Sequence, residues 1–180
     1  MCIRDRDNAY SALGALTLAP DGTLFLLNYE RMRRSSDHGA TWSEVRMPMV
    51  GGALIGFAAN YTTTQTVFGL FGNEPPRLFR ATDGGRTWTA VGAHSMGSVF
   101  AYNSKLLAAA EVLYLYRSDY GGQSELFRSL DNGDTWQAAT AAAVQGTTQA
   151  ALAPDGRLWF SRQDGLRALA PGDIGWRAMP

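Results

Sequence analysis

The sequence predicts an all-β fold made of repeated four-stranded antiparallel units, on three observations. The segment "RSSDHGATW" at residues 34–42 returns as "RATDGGRTW" at residues 80–88 and as "RSLDNGDTW" at residues 128–136. The segment "LAPDGTLFL" at residues 18–26 returns as "LAPDGRLWF" at residues 152–160, which is three periods of about 45 residues later. Within each period the local signals are those of strands and turns. Four short strands in a period of this length describe one blade of a β-propeller.

The strands of one unit can be assigned in order and are called a, b, c and d. "LTLAPDGTLFLL" at residues 16–27 places a Pro-Asp-Gly turn between two apolar runs, which predicts the hairpin a–b. Similar apolar pairs with longer linkers occur at residues 54–71 and 98–116. Short alternating stretches such as "RLFRAT" and "ELFRSL" predict strand c, which is followed by the repeated turn and by a strand d that opens on Trp. "KLLAAAEVLYLY" has some helical propensity, but its Val, Leu and Tyr residues favour strand.

The units fill the chain from about its tenth residue. Residues 1–9 are expected to be a disordered or artefactual N-terminus, because "MCIRDR" looks like translated sequencing-adapter read-through. The four blades are expected at residues 10–48, 49–92, 93–140 and 141–180. The fourth carries "RALAPGDIGW" where a clean repeat is due.

Composition excludes several classes of protein and site. The chain has 16 basic and 16 acidic residues, so no bulk attraction to nucleic acid is expected. Cys2 is the only cysteine, which rules out an intramolecular disulfide and a cysteine zinc site, and His38 and His94 lack the spacing of a metal pair. We therefore expect no metal and no cofactor. The apolar runs are too short for membrane insertion, and no signal peptide is visible.

The repeated turn resembles the Asp-box, or BNR repeat, with the pattern Ser-x-Asp-x-Gly-x-Thr-Trp. This pattern occurs in sialidase-like propellers, sortilin-type receptors, some glycoside hydrolases and the photosystem II assembly factor family. The matching residues are Ser35, Asp37, Gly39, Thr41 and Trp42; Asp83, Gly85, Thr87 and Trp88, with Ala81 replacing Ser; and Ser129, Asp131, Gly133, Thr135 and Trp136. The resemblance implies rings of six or more blades, so we expect these four to be a fragment of a larger propeller whose remaining blades are missing. It also favours an extracytoplasmic location.

The residue types of the turn can be explained without catalysis. An Asp at the head of a tight turn accepts backbone hydrogen bonds, Gly allows a left-handed conformation, and Trp buries a large aromatic surface. One active site does not need the same Asp three times on blades that point in different directions. The boxes are therefore interpreted as structural, and so are the periodic arginines that precede them, which are Arg34, Arg80, Arg128 and Arg167.

A ligand site is therefore expected at the opposite ends of the strands, where the b–c connections lie. These connections combine arginines with acids and tyrosines. The candidate ligand-binding residues are Tyr29, Glu30 and Arg31; Glu74 and Arg77; Arg117, Asp119 and Tyr120; and Arg162 and Asp164.

Two functions fit this composition. The first is a non-catalytic propeller module, a binding or scaffold segment of a larger bacterial protein, whose ligand is a protein or a glycan held by aromatic and Arg anchors. The alternative is a sialidase-like or other exo-acting glycoside hydrolase, or part of one, in which arginines clamp a substrate carboxylate and a Tyr beside a Glu acts as nucleophile. The Arg-Ile-Pro motif of sialidases is absent from this sequence, which favours the binding module.

Overall fold

The computed structural model describes residues 15–28, 30–51, 53–58, 60–72, 76–92, 104–109, 112–118, 124–139, 147–153, 155–162, 165–170 and 177–178. Four sheets occur in these ranges, and each is called a blade. Blade 1 contains β1 (Ala15–Leu18), β2 (Leu24–Leu27), β3 (Met32–Ser35) and β4 (Ser43–Val45). Blade 2 contains β5 (Ala53–Phe57), the helix α1 (Tyr61–Thr64), β6 (Val67–Phe71), β7 (Arg77–Ala81) and β8 (Thr89–Ala90).

The third and fourth sheets have the same organisation. Blade 3 contains β9 (Lys105–Ala109), β10 (Val112–Ser118), β11 (Ser124–Ser129) and β12 (Gln137–Ala139). Blade 4 contains β13 (Thr147–Leu152), β14 (Leu158–Arg162), β15 (Gly165–Leu169) and β16 (Arg177–Ala178). In every blade the strands pair in chain order and antiparallel. In the described residues, the prediction of an all-β fold with four four-stranded antiparallel repeats is confirmed, including the strands Lys105–Ala109 and Val112–Ser118.

Apolar cores lie between consecutive blades, because each sheet is apolar on both faces. One face of blade 1, carrying Phe25 and Met32, packs on Val67 and Phe71 of blade 2. The other face of blade 2 packs on blade 3, and the other face of blade 3 packs on blade 4. We call the face that packs on the next blade the forward face and the opposite one the backward face. Stacking of sheets along the chain in this way is the packing of a propeller.

The first strands of neighbouring blades lie close together. Gly56 of β5 is so near β9 that a Cβ atom there would lie 2.6 Å from the carbonyl oxygen of Leu106. The Lys105 ammonium donates to the side-chain oxygen of Gln149 at 3.1 Å and to the carbonyl oxygen of Ala150 at 2.9 Å. The single lysine of the chain therefore joins the first strands of blades 3 and 4, a contact that the sequence did not indicate.

Three details differ from the sequence-based expectation. The long a–b linker of blade 2 contains the single helical turn α1. Each strand d begins one residue after the Trp, at Ser43, Thr89 and Gln137. The fourth periodic arginine is also out of register with the other three, as its strand pairing shows.

The register of the arginines can be read from their partners across strands b and c. Arg34 pairs with Phe25, and Arg128 pairs with Tyr114, both of which are on forward faces. Arg167 pairs instead with Phe160, which packs on the preceding blade. Because a shift of one residue moves a side chain to the other face of a sheet, Arg167 is not equivalent to Arg34.

Candidate functional site

The three repeated turns, here called the boxes, are residues 35–42, 81–88 and 129–136. In the first box both carboxylate oxygens of Asp37 are used. One oxygen accepts from the amide of Thr41 at 2.9 Å and from the hydroxyl of Ser35 at 2.7 Å, and the other accepts from the Thr41 hydroxyl at 2.5 Å. The Ser35 hydroxyl oxygen accepts from the amide of Gly39 at 2.8 Å. The Asp therefore binds groups on both sides of its own turn.

The third box repeats this hydrogen-bonding network. Asp131 accepts from the amide of Thr135 at 2.8 Å and from its hydroxyl at 2.5 Å, while Ser129 donates to Asp131 at 2.7 Å. The indole N–H of Trp136 donates to the carbonyl oxygen of Gly133 at 3.1 Å. The corresponding indole of the first box, that of Trp42, donates to Gly39 at the same distance.

The second box lacks one part of the network. Ala81 has no hydroxyl, and Asp83 accepts instead from the amides of Arg86 and Thr87, at 2.8 and 3.1 Å, and from the Thr87 hydroxyl at 2.5 Å. The indole nitrogen of Trp88 is buried and has no hydrogen-bond partner among the described residues. The second box, whose sequence departs from the repeated pattern, is thus also the box whose indole N–H has no hydrogen-bond partner among the described residues.

These hydrogen bonds hold the box carboxylates in the charged form. Those from the hydroxyl and amide of Thr41 lower the pKa of Asp37 to about 2, and those from Thr135 lower the pKa of Asp131 to about 2. Burial raises the pKa of Asp83, but the bonds from Thr87 and Arg86 outweigh it, so the pKa is lowered overall. A carboxylate with a depressed pKa is a poor general acid near neutral pH.

Two consecutive residues of each box have positive φ. In the first box these are His38 and Gly39, with φ of 56° and 90°, and in the third they are Asn132 and Gly133, with φ of 57° and 97°. Among residues other than glycine, Asn and His are enriched in this conformation. The backbone conformation of the turn therefore explains why His38 and Asn132 are found at this position of the box.

Each of the last two boxes packs against the preceding blade. A Cβ atom on Gly85 would lie 2.8 Å from the ring of Phe25 in blade 1, and one on Gly133 would lie 2.2 Å from the side chain of Leu78 in blade 2. The Arg34 guanidinium of blade 1 also donates to the carbonyl oxygen of Gly84 at 3.1 Å. The boxes therefore make contacts both within their own turn and across the joint between blades.

The opposite ends of the sheets carry the predicted ligand-binding residues that the structure describes. Glu30, Arg31 and Arg77 are exposed in or beside the b–c connections, and we call this side of the protein the b–c edge. Arg31 lies in a turn headed by Asn28, whose side-chain oxygen accepts from the amide of Arg31 at 2.6 Å. Sequence reasoning missed Asn28, although Asn at the head of a turn is a known signal.

Two further candidate arginines lie at the ends of strands. Arg117 of β10 forms an ion pair with Glu125 and places its guanidinium 5.1 Å from the ring centre of Phe127. Arg162 is the last residue of β14 and is half-buried. The candidates outside the described residues are Tyr29, Glu74, Asp119, Tyr120 and Asp164. The structure therefore describes five of the ten candidates, which are those at positions 30, 31, 77, 117 and 162.

The described residues contain neither a metal-binding cluster nor a membrane-spanning helix. No group of three or more His, Cys, Asp or Glu side chains there could hold a metal ion. No helix in this part of the chain has the length and apolar character needed to cross a membrane.

Comparison with known proteins gives a relationship at the level of fold. No protein-family model and no curated protein matches the chain. Among solved structures, it is similar to "YCF48 bound to D1 peptide", with 17% identity, a TM-score of 0.59, and coverage of 90% of this chain and 52% of that one. It is also similar to "YCF48 from Cyanidioschyzon merolae", with 14% identity, a TM-score of 0.58, and coverage of 93% and 56%. The chain spans about half the length of these structures, and the similarity establishes that it has the β-propeller fold.

Proposed function

We propose that this chain is a non-catalytic segment of an Asp-box β-propeller that binds a protein partner through its b–c edge. The observation that carries the proposal is the different use of charged groups at the two ends of the sheets. At one end the carboxylates of Asp37 and Asp131 bind their own turns. At the other end Glu30, Arg31 and Arg77 are exposed to solvent. Exposed arginines on a loop edge are typical anchors of a binding surface.

Two further observations support a protein as the ligand. One of the similar propeller structures is described as bound to a peptide. The turn at Asn28 also holds Arg31 in a fixed backbone conformation, so that less conformational entropy is lost on binding. We also propose that the protein acts outside the cytoplasm and that further blades complete its ring. The boxes, in this proposal, have a structural role and stabilise their turns and the contacts between blades.

A displayed library of random peptides tests the proposal. Peptides enriched on the 180-residue chain should lose at least tenfold in affinity when Arg31 and Arg77 are both replaced by Ala. Arg157→Ala is the matched control, because Arg157 is exposed at the opposite end of blade 4, where it pairs with Asp155 at 3.5 Å. Enrichment of no peptide, or binding that survives the double substitution, contradicts the proposal. A glycan array on the same variants identifies a glycan ligand as the alternative.

The glycoside-hydrolase alternative has less support. A carboxylate clamp needs arginines with free guanidinium groups, whereas Arg117 already pairs with Glu125. Tyr29 is the only one of the two candidate tyrosines that stands beside a Glu in the sequence, and both Tyr29 and Tyr120 lie outside the described residues. Release of a fluorophore from a sialoside by the chain, abolished by Arg31→Ala, would establish the hydrolase and replace the binding proposal.

A further inference from the structure

The third box contains an asparagine that is followed directly by a glycine, Asn132-Gly133. It is the only Asn-Gly pair of the chain, because the same two positions are His38-Gly39 in the first box and Gly84-Gly85 in the second. The turn favours the pair, since its two residues have φ of 57° and 97°, and Asn and Gly adopt positive φ readily. The backbone of the third box thus accommodates two residues that have a chemistry of their own.

This chemistry is deamidation. Asn is one of the chemically labile residues of proteins, and it reacts fastest before Gly, because no side chain hinders the peptide nitrogen that follows it. The Gly133 nitrogen loses its proton and attacks Cγ of Asn132. The new N–C bond closes a succinimide ring, and the side-chain nitrogen leaves as ammonia. Water then opens the ring at either carbonyl and gives aspartate or isoaspartate, so the reaction needs no oxidant or reductant.

The folded box restrains the nitrogen that would attack. The Gly133 N–H donates to the hydroxyl oxygen of Ser129 at 2.8 Å. The carbonyl oxygen of Gly133 accepts from the indole N–H of Trp136 at 3.1 Å, so the residue is held on both sides. The attack requires that the proton leave and that the nitrogen turn toward the side chain of Asn132. Both steps require the hydrogen bond to Ser129 to break first.

The joint with blade 2 adds a second restraint on the same residue. Gly133 is buried, and a Cβ atom on it would lie 2.2 Å from the side chain of Leu78 and 3.5 Å from that of Val91, at the end of blade 2. Asn132, in contrast, is exposed to solvent. The packing of blade 2 on blade 3 therefore fixes the nucleophile, while water has access to the side chain that would be attacked.

We propose that Asn132 is a deamidation site controlled by the third box, and that it reacts only when the box and its contact with blade 2 open. The observed rate is then the rate in an unrestrained segment multiplied by the fraction of molecules in which this region is open. The inference does not rest on ligand binding, because the boxes and the b–c edge lie at opposite ends of the strands.

Both products of the reaction disfavour closure of the box. Isoaspartate at position 132 adds one atom to the main chain between Ser129 and Gly133, which displaces the two groups that the closed box joins by a hydrogen bond. Aspartate adds a negative charge between Asp131 and Asp134. Opening of the joint between blades 2 and 3 is therefore recorded as a covalent change that hinders its return.

Peptide mapping by mass spectrometry tests the inference on the 180-residue chain, incubated in mildly alkaline buffer with and without urea. Deamidation at Asn132 should be at least tenfold faster in the unfolded chain than in the folded one. Asn28 and Asn60 are the internal controls, because both are followed by Tyr, and they should react far more slowly than Asn132 in urea. Equal rates at Asn132 with and without urea, or no reaction there in the unfolded chain, overturn the inference.

Two matched variants separate opening of the third box from unfolding of the whole chain. Ser129→Ala removes the acceptor of the Gly133 amide and should speed deamidation in the folded chain at least fivefold. Ser35→Ala removes the equivalent hydroxyl from the first box, where it accepts from the amide of Gly39 at 2.8 Å, and should leave the rate at Asn132 unchanged. Circular dichroism should show that both variants are folded. Equal acceleration by the two variants, or none by Ser129→Ala, overturns control by the third box.

Discussion

The Nε–H of Arg34 donates a hydrogen bond to the carbonyl oxygen of Gly84, 50 residues away, across the joint between blades 1 and 2. Arg34 is only 8% exposed, and its Nη2 lies 3.4 Å from the hydroxyl oxygen of Thr23. A guanidinium stays charged at all ordinary pH values, and burying it is costly unless its N–H groups are bonded. The burial of Arg34 is tolerated because the carbonyl oxygen of Gly84, in the box of the next blade, accepts a hydrogen bond from its guanidinium.

Replacement of Arg34 by Ala should therefore destabilise the fold by about 1–3 kcal/mol, since the carbonyl of Gly84 loses a charged partner in a buried place. Urea unfolding at one fixed protein concentration measures the change. Arg46→Ala is the control, because Arg46 is exposed, and it should stay within about 0.5 kcal/mol of wild type. Equal stability of the two variants would show that the contact between the blades contributes nothing.

The depressed pKa values of Asp37 and Asp131 give the fold a defined response to acid. The pKa of each carboxyl is about 2 in the folded protein and about 3.9 in an unfolded chain. The stabilisation is therefore fully present above pH 4 and is lost as the pH falls through about 2. Carbon-13 NMR of the carboxyl groups should show both pKa values. Thr41→Val removes the hydroxyl bonded to Asp37 and should raise its pKa while leaving that of Asp131 unchanged; equal movement of both would contradict the assignment to local hydrogen bonds.

The missing hydroxyl of the second box allows a test in both directions. Ser129→Ala removes the acceptor of the Gly133 amide, which is buried, so a loss of about 1–3 kcal/mol is expected. Ala81→Ser supplies the hydroxyl that the second box lacks and should gain about 0.5–1.5 kcal/mol if it forms the same bonds. Thermal and urea unfolding of the two variants provide the comparison. A destabilising Ala81→Ser would mean that the apolar packing around Ala81, which is 1% exposed, outweighs the new bonds.

The sequence predicts the repeated fold well because its signals are local. The Pro-Asp-Gly turn, the alternating strands and the Asp, Gly and Trp of each box all act within nine residues of one another, and three copies reinforce the assignment. The joint contacts of Arg34 with Gly84 and of Lys105 with Ala150 link residues 50 and 45 positions apart, so no local pattern reveals them.

The candidate ligand-binding residues show what the sequence could not predict. Topology predicts which ends of the strands share an edge, and Glu30, Arg31 and Arg77 are found there. Whether an arginine is open or already paired depends on neighbours across the sheet, as Arg117 with Glu125 shows, and single-residue patterns do not carry that information. The sequence also failed to predict the position of Arg167, because a shift of one residue in the register of the fourth repeat moves its side chain to the other face of the sheet.

Gly133 and Gly165 illustrate two different reasons for a glycine in this fold, which are a positive φ and a lack of space for a Cβ atom. Both have positive φ, of 97° and 122°, so that Ala is strained at either position. A Cβ on Gly133 would lie 2.2 Å from Leu78 of the preceding blade, whereas a Cβ on Gly165 would meet nothing within 4 Å. Gly165→Ala should therefore cost about 1–2 kcal/mol from the backbone alone, and Gly133→Ala should cost about 1–3 kcal/mol more from overpacking at the joint. Urea unfolding of both variants measures the difference, and the cost of Gly133→Ala should be smaller when it is measured in a Leu78→Ala background, because the clash is then relieved. Equal costs for the two glycine substitutions would mean that the third box is not packed against blade 2.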